Sequence, residues 1–331
     1  MGGAAEVKAG KEQVIRVVSW NLNWFPGGKE KATAAEAAAQ MGLAQKAIGD
    51  LKPDVLLLQE VRDWNGAVEL CREVPKVQVQ VISRFQPRPQ NQVIATNLDA
   101  EKGWSDEWKR GDEDPPRGYV FAAAEVQPGH FLLVYSVHLK SNVGGVEGAI
   151  RKREDSARQL LKHVGEMLKL YGERGKCAVM ICGDLNTHED GGEFAKERTI
   201  SALQAAGFRS GFEGVPAAER VTHPAKGAYK DVCFDYIFTL GMGEQRAVVK
   251  GYPRVSDHQP VVMEVDLGKV DWNPRWDLGA GLAMVPGASV VMGPAVKVSK
   301  TIRADDAGRI RELVGETVAV RGTVGKVGSI Q

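Results

Sequence analysis

Cysteine is scarce. Cys71, Cys177, Cys182 and Cys233 are the only four in 331 residues, and no two form a Cys-x-x-Cys pair. That leaves no disulfide framework and no thiolate cluster for zinc. Cys177 and Cys182 bracket an apolar, strand-like run and read as buried thiols, which suits a reducing compartment, the cytoplasm. Net charge is also missing. Lys and Arg number 43 against 42 Asp and Glu, giving +1 at pH 7, so any surface that attracts a polyanion must be local. No stretch reaches the ~18 consecutive apolar residues of a membrane span. The opening MGGAAEVKAGKEQ lacks the apolar centre of a secretory signal, and its Met-Gly start lacks the Ser or Thr of a myristoylation site.

Hydrophobic residues make up 43% of the chain, enough for one large domain with an appendage. Short apolar runs bounded by Gly, Pro or charged turns read as strands: QVIRVVSW (13–20), DVLLLQE (54–60), VQVQVIS (77–83), QVIAT (92–96), YVFAAAEV (119–126), HFLLVYSVH (130–138), CAVMICG (177–183), VCFDYIFT (232–239) and PVVMEVDL (260–267). Helical spacing marks Glu30 to Leu51 and Ile150 to Leu170, with a smaller helix from Phe194 to Ala206. Many strands with few crossover helices argue for stacked sheets with helices outside, an α+β class. The stretch 97–118 reads as a long charged loop carrying Trp104 and Trp108. Residues 1–12 read as a flexible start and 13–267 as one domain. Residues 268–299, rich in Gly and Pro, read as a linker, with a small module at 300–331 in which ADDAGRIRELVG is a short helix and ETVAVRGTVGKV a strand.

The strand ends share a feature. SWNLNW presents Asn21, LLLQEVRDW presents Glu60, and SVHLKS presents His138. ICGDLNT presents Asp184 and Asn186, CFDYIFT carries Asp235, and SDHQP brings Asp257 and His258 before the last strand. Each alone is ordinary turn or capping chemistry. Six such placements in one chain are more than turns require. Carboxylates with an Asn are hard oxygen ligands, suited to Mg²⁺ or Mn²⁺. Two histidines and further carboxylates add acid–base and orienting groups. Together they meet the needs of metal-assisted attack of water on a phosphate ester.

The segments WNLN, LLLQEV, VHLKS, GDLN, FDYIF and SDHQPV, in this order over residues 17–264, resemble the endonuclease/exonuclease/phosphatase superfamily. That group includes pancreatic-type deoxyribonucleases, abasic-site endonucleases, deadenylases, neutral sphingomyelinases and inositol-polyphosphate phosphatases. The resemblance implies a four-layer sandwich of two packed mixed or antiparallel sheets flanked by helices. It implies Mg²⁺, with Mn²⁺ able to substitute, near Asn21, Glu60 and Asp257. It further implies that Asp184 handles the attacking water and that Asn186 holds the phosphate and Asp184. His258 would contact the scissile phosphate, oriented by Asp235. His138 would be the phosphate-contacting histidine of the deoxyribonuclease branch, with Lys140 and Ser141 beside it.

The substrate is less legible. CFDYIFT lacks the Trp-Cys-Asp-Arg that inositol-polyphosphate phosphatases carry at the Asp235 position and is closer to nucleases and deadenylases. The tail IRADDAGRIRELVGETVAVRGTVGKV resembles the opening of an oligonucleotide-binding (OB) barrel, which tilts the substrate towards nucleic acid. Trp64, Trp104 and Trp108 are candidate base-stacking residues. The expectation is a Mg²⁺-dependent nuclease with a nucleic-acid substrate and no membrane partner. The alternatives are a phosphomonoesterase or lipid phosphodiesterase of the same superfamily, or a silent nucleic-acid-binding protein. A pure binder has no need of Asp184 and His258.

Overall fold

The apolar runs fold as two six-stranded sheets. The computed structural model describes residues 14–84, 90–111, 113–227 and 230–285, together with two strands at 301–303 and 319–321. The first half of the chain gives β1 (Val14–Phe25), α1 (Ala34–Leu51), β2 (Val55–Val61), α2 (Trp64–Cys71), β3 (Gln78–Ile82), β4 (Asn91–Thr96), β5 (Ala100–Glu107), β6 (Gly118–Gln127) and β7 (His130–His138). The second gives α3 (Val146–Gly172), β8 (Lys176–Asp184), α4 (Thr199–Ala205), β9 (Arg209–Ser210), β10 (Asp235–Leu240), β11 (Ala247–Val249), β12 (Val261–Asp266) and α5 (Leu278–Met284). One sheet runs β11-β12-β1-β2-β4-β3 and the other β5-β6-β7-β8-β10-β9.

Strand alternation explains the layers. On β1 and β2, Ile15, Val17, Val55 and Leu57 face the second sheet, while Val18, Trp20, Leu56 and Leu58 pack with Ala44, Ala47, Ile48 and Leu51 of α1. On the far side, Leu160, Leu161 and Val164 of α3 cover the second sheet. The order is therefore helix, sheet, sheet, helix, the α+β sandwich expected. Helix α1 starts where Thr33 and Glu36 form a capping box and stops at left-handed Lys52, just before Pro53. All four cysteines are free and buried. Among the described residues no helix is long and apolar enough to cross a membrane.

Three expectations change. The stretch 97–118 is not simply a loop. Residues Ala100–Glu107 pair with β6 as an edge strand, with Ser105, Asp106 and Glu107 exposed. Its tryptophans accordingly leave the list of stacking candidates. Trp108 is 3% exposed, and Trp104 packs on Phe121 with ring centroids 4.5 Å apart. The helix expected over Phe194 to Ala206 divides into a 3-10 turn, Gly192–Phe194, and α4. The linker expected to follow Leu267 begins instead with ordered chain. Cys177 N donates to Trp272 O (2.9 Å) and Asp277 N to Ala206 O (3.0 Å), and α5 packs against α3 and α4. Compact packing thus extends to Val285. In the second unit, Ala288–Gln331, Thr301–Arg303 pairs in parallel with Ala319–Arg321. The expected flexible start at 1–12 and the helix at 304–315 lie outside the described residues.

Candidate active site

Register brings three of the candidates into one row. In the parallel β7–β8 pair His138 stands opposite Asp184, and in the antiparallel β8–β10 pair Asp184 stands opposite Asp235. Gly183 makes this approach possible. Its φ is +138°, and a Cβ there would lie 1.9 Å from Val137 O.

The first sheet supplies the facing groups through an irregularity. Asn21 pairs with Gln59, after which the β1–β2 register slips before Phe25 meets Val61. The β2–β4 register slips over the same stretch, between Leu58 and Val61. Within the slip Glu60 takes φ +60°, and Asn23, Trp24 and Asn186 are also left-handed. Left-handed backbone at residues other than glycine is costly and concentrates at functional sites. Here it turns Glu60, which sequence alternation alone would hide, toward the second sheet.

The side chains form one continuous polar network. Trp24 N donates to Glu60 Oε2 (2.9 Å), and Asn21 Nδ2 donates to Asp184 Oδ2 (3.0 Å) and, more weakly, to Glu60 Oε1 (3.4 Å). Asn186 N donates to Asp184 Oδ1 (2.8 Å), and the Asn186 amide donates to Leu139 O (3.2 Å). His258 Nδ1 donates to Asp235 Oδ2 at 2.7 Å, while its Nε2 lies 3.8 Å from Asp184 Oδ2. His138 Nε2 sits 3.5 Å from Asp184 Oδ2 and 3.8 Å from Glu60 Oε1, with its side chain 2% exposed. His138 is therefore buried behind the two carboxylates. Asp257 is half-buried beside Ser256, whose hydroxyl donates to Asn21 O (2.8 Å).

Electrostatics separates these groups. Burial opposes charge on His258, but the Asp235 and Asp184 carboxylates outweigh it and lift the imidazole to about 10. Burial lifts Asp184 to about 7, with cationic His258 pulling the other way. His138 is pushed well below the ordinary imidazole range, first by burial and then by the charges on Arg117 and His258. For a cation the donor chemistry fits. Glu60 and Asp184 share Asn21 Nδ2 as a donor, which brings two carboxylates together. Ligand atoms of Asp184, Asp235 and His258 lie within 4.8 Å of one another, and Asp235 Oδ1 is buried without a partner.

Seven expected residues thus converge: Asn21, Glu60, His138, Asp184, Asn186, Asp235 and His258. Others stand apart. Lys140 Nζ is folded back onto Ser141 O (2.5 Å) and Val143 O (2.6 Å). Ser141 is half-buried in that turn. Trp64 is 44% exposed at the start of α2.

The sequence pattern of the Endonuclease/Exonuclease/phosphatase family matches residues 18–258. The chain belongs to this family. No curated protein sequence matches it significantly. Solved structures share the family fold. Truncated Caenorhabditis elegans TDP2 is 16% identical, covering 76% of this chain and 98% of its own, with a TM-score of 0.56. D. rerio TDP2 complexed with single strand DNA product is 17% identical over 76% and 98%, with a TM-score of 0.56. The human Nocturnin catalytic domain with bound sulfate anion is 15% identical over 76% and 92%, with a TM-score of 0.57.

The fold also positions residues beyond the candidate set. Trp20 Nε1 donates to His258 O (2.9 Å), which gives the Trp of WNLN a role. Ser256 Oγ accepts from His258 N (3.1 Å). Thr222 Oγ1 accepts from Phe234 N (2.9 Å) and Asp235 N (3.0 Å), fixing the backbone that carries the dyad carboxylate. Thr222 lies outside every strand-end motif, so only the folded chain reveals it.

Proposed function

We propose that the chain is a Mg²⁺-dependent phosphodiesterase, with nucleic acid as the substrate class and Mn²⁺ able to replace Mg²⁺. The observation that carries this is the Glu60–Asn21–Asp184–His258–Asp235 network, in which one buried carboxylate is poised near neutrality and one imidazole is held cationic. Glu60, Asn21 and Asp257 would hold the metal. The tighter trio of Asp184, Asp235 and His258 suits it less well, because an imidazolium bonded to Asp235 offers no lone pair. When bound, the cation would neutralise charge on the phosphoryl oxygens.

The chain's own groups would do the rest. Asp184, with a pKa near the working pH, takes a proton from the attacking water. Asn21 and the Asn186 backbone N–H hold its two oxygens, so the carboxylate has one orientation. His258, kept protonated by Asp235, donates to the phosphate as charge develops there. His138, being buried and uncharged, orients Asp184 and Glu60 instead of making the phosphate contact the resemblance implies. The FDYIF context of Asp235 and the D. rerio TDP2 bound to single strand DNA favour a nucleic-acid substrate.

The test is hydrolysis by purified protein with Mg²⁺, Mn²⁺ or EDTA. The panel is single- and double-stranded DNA, abasic DNA, RNA, inositol phosphates and sphingomyelin. The proposal expects metal-dependent cleavage of at least one nucleic acid. Cleavage of inositol phosphates or sphingomyelin alone would contradict the substrate class.

A further inference from the structure

A third histidine borders the network, outside every strand-end motif. His223 follows Thr222, and its backbone is fixed twice: His223 N donates to Val232 O (2.9 Å) and Val232 N returns a bond to His223 O (3.1 Å). Thr222 on one side ties the segment to Asp235, and Gln259 N donates to Thr222 O (2.7 Å), tying it to the residue after His258. This frame sets the His223 ring edge-on to the His258 ring, with centroids 4.8 Å apart and an interplanar angle of 73°. Phe234 lies behind it at 5.9 Å. The ring is half-buried. Its Nδ1 is sealed in with no hydrogen-bond partner among the described residues. A half-buried ring whose sealed nitrogen has no partner is unusual, because desolvation without a partner is costly.

We infer that His223 is a substrate-contacting residue, its Nε2–H binding an oxygen of the phosphodiester beside the one that His258 contacts. The inference rests on the phosphodiesterase reading above and adds to it a specific donor. The need for one is electrostatic. A phosphodiester approaching Glu60, Asp184 and Asp235 meets three carboxylates, so it requires donors on its outer side. Burial, with the charge on His258 adding to it, keeps His223 below the ordinary imidazole range, so it remains neutral beside the imidazolium. A neutral imidazole with no partner at Nδ1 is free to carry its proton at Nε2, where an anionic oxygen would select that tautomer. Two adjacent nitrogens, one cationic and one neutral, then span two oxygens of one phosphate without the repulsion that two imidazoliums would suffer.

The test compares His223→Phe, which keeps a ring against His258 and removes both nitrogens, with His223→Gln, which restores an amide N–H. Both are assayed for kcat and KM on bis(p-nitrophenyl) phosphate with Mg²⁺. The inference expects kcat/KM to fall about tenfold or more for Phe and to recover largely for Gln, with melting temperatures unchanged. Wild-type kinetics in the Phe variant, or an equal loss in both, would overturn it. A second measurement stands even if the wild type hydrolyses nothing or the Phe variant fails to fold. Inorganic phosphate with Mg²⁺ should shift the His223 Nε2 resonance of the wild-type protein in a ¹⁵N spectrum. An unmoved resonance at saturating phosphate overturns the inference on its own.

Discussion

His258 Nδ1 stands 2.7 Å from Asp235 Oδ2, with the Asp235 side chain fully buried and the His258 side chain 11% exposed. This pairing closes a loop in the fold. Asp235 opens β10, beside Asp184 on β8, whereas His258 precedes β12 in the other sheet. This hydrogen bond, like that from Asn21 Nδ2 to Asp184, joins the two sheets at the site. Asp235→Asn keeps the shape and removes the charge. It should lower kcat by about 10² or more, and shift the pH–rate limb that reports His258 to lower pH. Because the two act as a unit, Asp235→Asn combined with His258→Ala should cost little more than the worse single change.

The same pair predicts a pH-dependent stability. His258 is raised from 6.5 to about 10 on folding. Between those values the folded state holds a proton that the unfolded chain has released, so stability falls as pH rises. The contribution is complete below pH 6.5 and is lost as pH passes the folded value. Urea unfolding of wild type and His258→Gln from pH 6 to 10 should show the gap between them narrowing as pH increases.

Glu60 provides the check on the metal. Its strained φ of +60° makes little sense for a purely structural carboxylate. Glu60→Gln should weaken Mg²⁺ binding and lower turnover about tenfold or more, with partial rescue by excess Mg²⁺. Calorimetric titration with Mg²⁺ reads the first effect directly.

A buried ion pair supports the loops around the site. Arg153, fully buried on α3, donates to Glu197 through Nε (2.8 Å) and a terminal nitrogen (2.7 Å). Its other terminal nitrogen donates to Lys140 O (2.7 Å) and Asn142 Oδ1 (2.9 Å), holding the turn after β7. Arg153→Met strands the Glu197 carboxylate and should destabilise by about 3–5 kcal/mol. Adding Glu197→Leu should recover much of that in urea unfolding.

Helix α5 makes the boundary of the catalytic unit testable. A Cβ on Gly281 would meet Ala206 Cβ at 2.7 Å and Ala202 O at 2.8 Å, so α5 and α4 are in close contact. Truncation after Leu267 should lower the melting temperature by several degrees, through loss of apolar burial. Truncation after Gly287 should leave it unchanged.

The strand-end residues were legible because β periodicity exposes them. A run such as HFLLVYSVH is apolar to its last turn, so a His there is conspicuous. The six motifs together then identified the family before any geometry. Three things were not legible. The edge strand Ala100–Glu107 is polar, because one face and one edge meet water, and polar strands look like loops. Helix α5 is short and Gly-rich, and is held by packing on α4 more than by propensity. The register slip at Glu60 cannot be read from period-two alternation, since one extra residue reverses which side chains face inward. Residues such as Thr222 and Arg153 act through hydrogen bonds to distant backbone, which leaves no local pattern.

The most direct test is hydrolysis of a phosphodiester by wild type and Asp184→Asn with saturating Mg²⁺, alongside Mg²⁺ affinity and melting temperature. The account predicts that wild-type turnover vanishes in EDTA. It also predicts that Asp184→Asn loses about 10³-fold or more of kcat while keeping its fold and most of its metal affinity. Turnover indifferent to EDTA, or an Asp184→Asn variant as active as wild type, would contradict it.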